Sequence, residues 1–390
     1  MKPDLLPSSN RLYFDHAATT PLRSEVVAAM EPYYAKLGYN PSSLHAEGRA
    51  ARAAVDRARE VVAGVLNARP REIVFTSGGT EADNLAILGV ARAVRDRGRH
   101  IVSTAIEHSA VLAALDQLRD QGWEVTLVEV DRNGVVDPER FRAALRPETV
   151  LATVMLANNE IGTIEPIAEL ASIAHERGVL FHTDAVQAAG QLSLAVDALG
   201  VDLMTLSAHK FYGPKGVGIL YVRGGTPLAP LIVGGGQERG LRSGTENVAG
   251  IIGAAEALRL AEEERDDYVV EITNLRDRLE AAVAAIPDSR INGAGAPRLP
   301  NNLSVSFAGV QADALLIRLD LEGVAASNGS ACAAGSTQPS HVLQAIGLEP
   351  AFVGGTIRLS LGKGLDAASV RRVGELLPEL VGELRAAAPV

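Results

Sequence analysis

The chain has 390 residues, 47% hydrophobic and 22% charged, ordinary proportions for a globular protein. Glycine and proline number 38 and 19, too few for a low-complexity chain, so disorder is excluded as the main state. The net charge of −10 has the wrong sign for a broad nucleic-acid footprint. A single cysteine, Cys332, excludes an intrachain disulfide, a cysteine zinc cage and a four-cysteine iron–sulfur site. Met1–Ser8 carries no apolar core of a secretory signal, and a reducing cytoplasmic setting is expected. Apolar runs such as Val61–Leu66 fall far short of the roughly 18–20 residues of a membrane span.

Short β-branched runs alternate with Ala/Arg/Glu-rich stretches. Strands are predicted at Ile73–Thr76, His100–Ser103, Val125–Val130, Val150–Leu156, Leu180–Thr183, Leu203–Ser207 and Gly218–Val222. Helices are predicted between them at Thr80–Arg97, Ala110–Gln121, Pro138–Leu145 and Ile167–Arg177. Most of these strands are apolar throughout, which suits burial on both faces. The alternation predicts a mostly parallel sheet wrapped by helices.

The pattern changes near residue 247. One long helical stretch, Val248–Ile286, carries the charged run Glu262–Asp267. After Pro287 come a strand at Asn302–Phe307, a helix at Asp313–Leu321, a strand near Gly323–Ala326, a loop through Cys332, a strand at Thr356–Leu361 and a helix at Ala367–Arg385. This reads as a smaller α+β domain. The expected division is a large domain over 15–262 and a small one from 1–14 and 263–390 that carries the Cys332 loop.

Three constellations point to chemistry. Thr76-Ser77-Gly78-Gly79-Thr80-Glu81 follows a strand and opens a helix, where unpaired backbone N–H groups attract an anion such as phosphate. A plain glycine turn with a threonine cap would read the same way. No nucleotide-binding glycine pattern occurs elsewhere. Phe181-His182-Thr183-Asp184 ends an apolar strand in a carboxylate, which is either a helix cap or the partner of a buried cation. Leu206-Ser207-Ala208-His209-Lys210 places a lysine at another strand end, either at the surface or as a covalent anchor for a carbonyl. Phosphate cradle, carboxylate and lysine together suit pyridoxal phosphate. His175, His182 and His341 read as structural or surface residues, and no histidine–glutamate spacing suggests a metal site.

Further motifs run along nearly the whole chain. They are Tyr13-Phe14-Asp15-His16-Ala17-Ala18-Thr19-Thr20-Pro21, Asn40-Pro41-Ser42-Ser43-Leu44-His45, Glu107-His108 and Asn158-Asn159-Glu160-Ile161-Gly162. Towards the other end stand Gly234-Gly235-Gly236-Gln237-Glu238-Arg239-Gly240, Arg242-Ser243-Gly244-Thr245, Gly329-Ser330-Ala331-Cys332 and Ile357-Arg358-Leu359-Ser360. With the three constellations they resemble the pyridoxal-phosphate-dependent cysteine desulfurases of the NifS/IscS kind, within the class V aminotransferases.

The resemblance implies the aspartate-aminotransferase-like α/β fold, pyridoxal-phosphate fold type I. It implies an enzyme that converts L-cysteine to L-alanine, leaves a persulfide on Cys332 and supplies sulfur to an acceptor such as an iron–sulfur scaffold protein. Lys210 resembles the lysine bonded to the cofactor aldehyde, Asp184 the ring-nitrogen partner and Gln187 the donor to the ring oxygen. His108 resembles the residue stacked on the ring, which also moves protons. Gly79, Thr80, Ser207 and His209 resemble the phosphate cradle. Asn159 resembles a contact to cofactor and substrate, and Arg358 the clamp on the substrate carboxylate. Thr245 resembles a residue lent to the neighbouring subunit's phosphate, so a homodimer is implied. His16 departs from the usual asparagine, and no scaffold-docking C-terminal extension is expected.

Cys332 lies in a run of small residues, Ser327–Thr337, that suits an exposed loop and a reachable thiol. Same-fold rivals are a selenocysteine lyase or a class V aminotransferase, the latter with no need of Cys332. A catalytically idle scaffold partner is a third reading, and it has no physical need of Lys210, Asp184 and Cys332 together.

Overall fold

Apolar strands can pack on both faces only if helices cover both, and that demand organises the first two-thirds of the chain. The computed structural model describes residues 11–329 and 339–387. Strand β1 (Leu12–Tyr13) leads into helices α1 (Ser24–Met30), α2 (Pro32–Ala35) and α3 (Ala46–Leu66). There follow β2 (Ile73–Thr76), α4 (Gly79–Val94), β3 (His100–Thr104), α5 (Ser109–Asp120), β4 (Glu124–Val128), α6 (Pro138–Ala144) and β5 (Thr149–Thr153). Then come α7 (Ile167–Glu176), β6 (Leu180–Asp184), α8 (Val196–Leu199), β7 (Leu203–Ser207) and β8 (Gly218–Val222). The remainder is α9 (Val248–Glu263), α10 (Arg265–Ala284), β9 (Ser289–Ile291), β10 (Asn302–Phe307), α11 (Ala312–Leu321), β11 (Val324–Ala325), α12 (His341–Ala345), α13 (Pro350–Val353), β12 (Thr356–Ser360) and α14 (Ala367–Ala387).

The large sheet has strand order β2-β8-β7-β6-β5-β3-β4. β8 runs antiparallel to β2 and β7, and the other neighbours are parallel. The mostly parallel sheet is as the alternation predicts. The chain passes from β3 outward to β4 and returns to the other side of β3 as β5. Such a reversal opens a crevice at the carboxyl ends of the strands, where α/β sheets bind ligands. Thr104, Asp184 and Ser207 end their strands at this edge.

A second apolar core gathers Phe14, Leu279, Val305, Phe307, Leu319, Leu359 and Val373, each fully buried. Its antiparallel sheet is β12-β10-β9, with Ser304 opposite Arg358. β1 pairs in parallel with β11, so the described chain starts in this core before Asp15 bridges to Ser360 and the backbone crosses to the large sheet.

Two differences from the sequence reading have physical causes. The single helix predicted over Val248–Ile286 is two, α9 and α10, broken at Glu264. There the Glu264 carboxylate takes both Nη groups of Arg23, at 2.8 and 3.0 Å, and pairs with Lys363. The sequence reading also places no element before Ile73, yet α3 is 21 residues long and buries Ala51, Val55, Ala58, Val62 and Leu66. That is the period of one helix face, diluted by alanine and arginine.

One of the burials in α3 is Arg59. Its guanidinium meets Glu238 through two bonds of 2.7 Å and donates to the Ile73 carbonyl at 2.6 Å, while the Phe75 N–H donates to Glu238 at 3.0 Å. Both side chains are nearly inaccessible. This pair anchors the Gly234–Gly240 turn to β2. Removing one partner of a buried ion pair strands the other charge and costs about 3–5 kcal/mol. Arg59→Ala is therefore expected to lower unfolding free energy by about that amount in urea titrations. A loss below about 1 kcal/mol would show that the pair is a surface-like contact.

Candidate active site

At the carboxyl edge of the sheet lies a cavity of about 380 Å³. Its lining includes Gly79, Thr80, His108, Asn159, Asp184, Gln187, Ser207, His209, Lys210 and Arg358. Of the described residues singled out from sequence, Thr245 alone does not line it, and Thr245 is exposed. Cys332 lies outside the described residues, although Gly329, three positions before it, reaches the cavity wall.

Gly79 opens α4, so the first N–H groups of a 16-residue helix face this cavity edge without intrahelical partners. A Cβ on Gly79 would stand 3.0 Å from Val186 Cγ2 and 3.4 Å from Ser207 Cβ, so the glycine allows β6, β7 and the helix start to approach closely. Burial, with the nearby Lys210 and Lys215 charges, holds the His209 imidazole down to about 4, so it is neutral. Its Nδ1 lies 3.1 Å from Thr19 Oγ1. A helix start, two hydroxyls and a neutral imidazole suit a phosphate.

Lys210 Nζ donates to the carbonyls of Ala17 and Ala18, at 2.6 and 2.8 Å. Gln187 Nε2 donates to the same Ala17 carbonyl at 3.0 Å. The crossing segment after Asp15 thus holds both side chains at the cavity. Asp184 is buried at the end of β6, where its Oδ1 accepts the Val186 N–H at 2.9 Å. Burial pushes this carboxyl up, while the fields of His108 and Lys210 pull it back. His108 caps α5, its Nδ1 accepting the Ala110 N–H at 3.1 Å, which leaves Nε2 to carry a proton. A buried carboxylate, a lysine, a histidine and a phosphate cradle around one cavity fit pyridoxal phosphate in their donor chemistry.

Arg358 enters from β12 in the second core. Its Nη1 donates to the Asn159 carbonyl at 2.8 Å and to the Gly329 carbonyl at 3.0 Å. Its Nη2 meets Asp15 at 2.8 Å, and among the described residues Nε has no hydrogen-bond partner. A guanidinium braced on one edge with an unpartnered Nε is suited to a carboxylate. Asn158 shapes the neighbouring turn: its Oδ1 accepts from the N–H groups of Glu160 and Ile161, at 2.8 and 3.0 Å. Gly162 closes that turn at φ 78°, and a Cβ there would lie 2.7 Å from Asn302 Cβ.

The structure adds residues that the sequence reading did not single out for the site. Asp83 and Glu160 line the cavity and are buried, and Asp15 braces Arg358. His341, read from sequence as structural or surface, also lines the cavity, with Nε2 2.9 Å from the Glu107 carbonyl. Asp83 falls one turn after Gly79 on a helix that buries the same face, a spacing that was available in the sequence. Glu160 and His341 gave no comparable signal, because they are remote in sequence and meet only in the fold, where the Ser340 hydroxyl donates to Glu160 at 2.6 Å.

Behind the cavity, burial pushes the carboxyls of Glu107 and Glu165 up to about 8. Glu107 accepts from Thr104 at 2.7 Å and from the Met155 N–H at 3.0 Å, but its Oε2 has no partner among the described residues. A raised carboxyl pKa means the folded state binds the proton more tightly. The stabilisation is full below the ordinary carboxyl value and is lost as pH rises through about 8. Thermal stability is therefore expected to fall between about pH 5 and 8, and the double variant Glu107→Gln, Glu165→Gln should flatten that slope in calorimetry. An unchanged slope would remove these two groups as its source.

Residues 12–373 match the family model described as aminotransferase class-V. The chain is 49% identical over 379 residues to a protein of Dictyoglomus turgidum named cysteine desulfurase IscS, covering 97% of this chain and 96% of the relative. A solved structure titled NifS-like protein superposes with a TM-score of 0.90 at 39% identity, covering 96% of this chain and all of that one. A structure titled SspA in complex with cysteine superposes with a TM-score of 0.80 at 36% identity, over 90% of this chain and 98% of that one. With a family match over most of its length and a relative this similar from end to end, the chain belongs to the class V aminotransferase family.

Proposed function

We propose that the chain is a pyridoxal-phosphate-dependent cysteine desulfurase. The observation that carries this reading is the convergence of Lys210, Asp184, the Gly79 cradle and Arg358 on one cavity. The relative named cysteine desulfurase IscS supports the same reaction, and the structure titled as a complex with cysteine supports the same substrate.

Bound pyridoxal phosphate supplies an electron sink for the carbon that loses its proton, and an aldehyde for the lysine. Gly79, Thr80, Ser207 and His209 hold its phosphate, Asp184 its ring nitrogen and Gln187 its ring oxygen. Arg358 receives the substrate carboxylate at the edge that Asp15 leaves open, and Asn159 lies beside it. The Lys210 amine takes the Cα proton, and His108 carries protons through Nε2. The Cys332 thiolate attacks the substrate sulfur. A sulfur–sulfur bond forms, the carbon–sulfur bond breaks, and its electron pair returns to the carbon chain, which is reprotonated. The balance is L-cysteine and one thiol giving L-alanine and one persulfide.

The acceptor of that sulfur is an iron–sulfur scaffold protein or a comparable carrier. The enzyme works in the cytoplasm as a homodimer, with Thr245 serving the partner's phosphate. Leu22, Val27, Tyr34, Tyr39, Leu44 and Val233 are exposed large hydrophobic side chains, which supports such pairing. The large domain runs over 15–262, and the small domain, from 1–14 and 263–390, carries the thiol.

The test is production of alanine and sulfide from cysteine. Lys210→Ala is expected to lose both the visible absorbance of bound cofactor and turnover, since lysine is anchor and base. Near-wild-type alanine formation by that variant would sink the assignment. Cys332→Ser should bind cofactor and cysteine but show no gain of one sulfur, about 32 Da, in protein mass after brief exposure to cysteine. Undiminished sulfide release by Cys332→Ser would move the reading to a lyase that needs no persulfide.

A further inference from the structure

Asp83 is a buried acid that the mechanism above does not use. It is 1% exposed, lines the cavity, and its Oδ1 has no hydrogen-bond partner among the described residues. Donor atoms of Asp83, Asp184 and His108 all lie within 4.8 Å of one another. Two carboxylates this close and this deeply buried cannot both stay ionised without a cation between them.

The surroundings decide which one keeps the charge. One basic ring beside Asp83 is His182, whose Nε2 is 3.7 Å from Oδ1. Burial holds that imidazole down to about 3, so it is neutral. Its Nδ1 is engaged with Thr153 at 2.8 Å and its Nε2 with Thr205 at 3.1 Å. Asp83 also has the Thr205 hydroxyl, His108 and the acids Asp184 and Glu107 around it. Asp184, by contrast, accepts the Val186 N–H and feels both Lys210 and His108. The Val186 N–H and Lys210 thus favour Asp184, whereas His108 lies within 4.8 Å of both acids and α4, β6 and β7 bring to Asp83 neutral or acidic groups.

We propose that Asp83 is the proton-bearing half of a buried carboxyl pair and that it confines the pair's single negative charge to Asp184. Asp83 is then a positioning residue for charge. One carboxylate faces the cavity, matching the one positive ring N–H of the bound cofactor with no surplus charge buried behind it. Burial and the Asp184 charge both raise the Asp83 carboxyl well above its ordinary range. The inference rests on the proposed cofactor site for its purpose, but the protonation itself belongs to this chain alone.

The experiment uses full-length protein with aspartate labelled with 13C at its side-chain carboxyl, read by NMR at about pH 7 with and without cofactor. Glutamates are silent in this label, so Glu107, Glu160 and Glu165 do not interfere. Wild type should show an aspartyl carboxyl at the shift of a protonated acid. Asp83→Asn should abolish it, and Asp184→Asn should keep it. No such resonance in wild type, or one that survives in Asp83→Asn and vanishes in Asp184→Asn, overturns the proposal. A neutral isostere should also serve. Asp83→Asn is expected to hold pyridoxal phosphate within about threefold of wild type, whereas a loss of tenfold or more, about 1.4 kcal/mol, would show that a charged Asp83 was needed and overturn it. Should Asp83→Asn not fold, the wild-type and Asp184→Asn spectra decide alone. Failure of the cofactor reading would appear separately, as wild-type protein that takes up no pyridoxal phosphate while the NMR result stands.

Discussion

The guanidinium of Arg358 is a fully buried cation on which two bodies of the molecule close. It grows from β12 in the second core, yet it bonds the Asn159 turn of the large sheet, the Gly329 carbonyl and Asp15 in the crossing segment. Taking such a group out of water costs several kcal/mol unless nearly every N–H finds an acceptor. Here two main-chain carbonyls and one carboxylate meet that demand. The arrangement fixes three separate stretches of chain around the same cavity wall. It also leaves Nε, one buried donor, for a further acceptor. The site is thus assembled by the solvation needs of one side chain as much as by the sheet.

Buried acids gather at the cavity and behind it. Asp83, Glu107, Glu160 and Asp184 are all buried, and burial raises each of them. A cluster with all four ionised would repel itself and any phosphate-bearing guest. Protonation of most of them removes that cost while leaving hydrogen-bonding groups in place. Asp184 gains from both Lys210 and His108, while Glu160 gains from His108, His341 and Arg358. Charge in this site is therefore selected by position on the sheet edge. Asp184 ends its strand, where the lysine and histidine can reach it, whereas Asp83 sits a turn inside a helix.

Much of this was legible in the sequence. Strands at Ile73–Thr76, Leu203–Ser207, Gly218–Val222 and Asn302–Phe307 stand at the predicted limits, because short apolar runs set between polar or turn-forming stretches have few other uses. Asp184, Ser207 and Lys210 were legible for a related reason: a charged or polar residue closing an apolar strand needs a purpose. Long-range pairings were not legible. Asp15 lies 343 positions from Arg358, and Glu160 lies 180 from Ser340. No local pattern announces such contacts. The break at Glu264 was hidden for the same reason, since Arg23 and Lys363 are remote in sequence and helix propensity continues through the charged run.

His16, where the family resemblance leads to the expectation of a smaller asparagine, shows how a buried ring is accommodated by residues remote in sequence. The imidazole is 3% exposed, with Nδ1 3.2 Å from the Ser360 carbonyl and its ring 4.9 Å edge-on from Tyr13. Burial lowers its pKa, so the ring is accommodated as a neutral body. The room comes from Gly362: a Cβ there would stand 2.1 Å from His16 Cδ2, an overlap that no small shift relieves. The His16 ring therefore fills the space that a side chain at position 362, just beyond β12, would need. Because Ala17 and Ala18 follow directly and their carbonyls hold Lys210, a displaced His16 ring would move the lysine's support. The histidine and the glycine form one structural unit, and the placement of Lys210 depends on both.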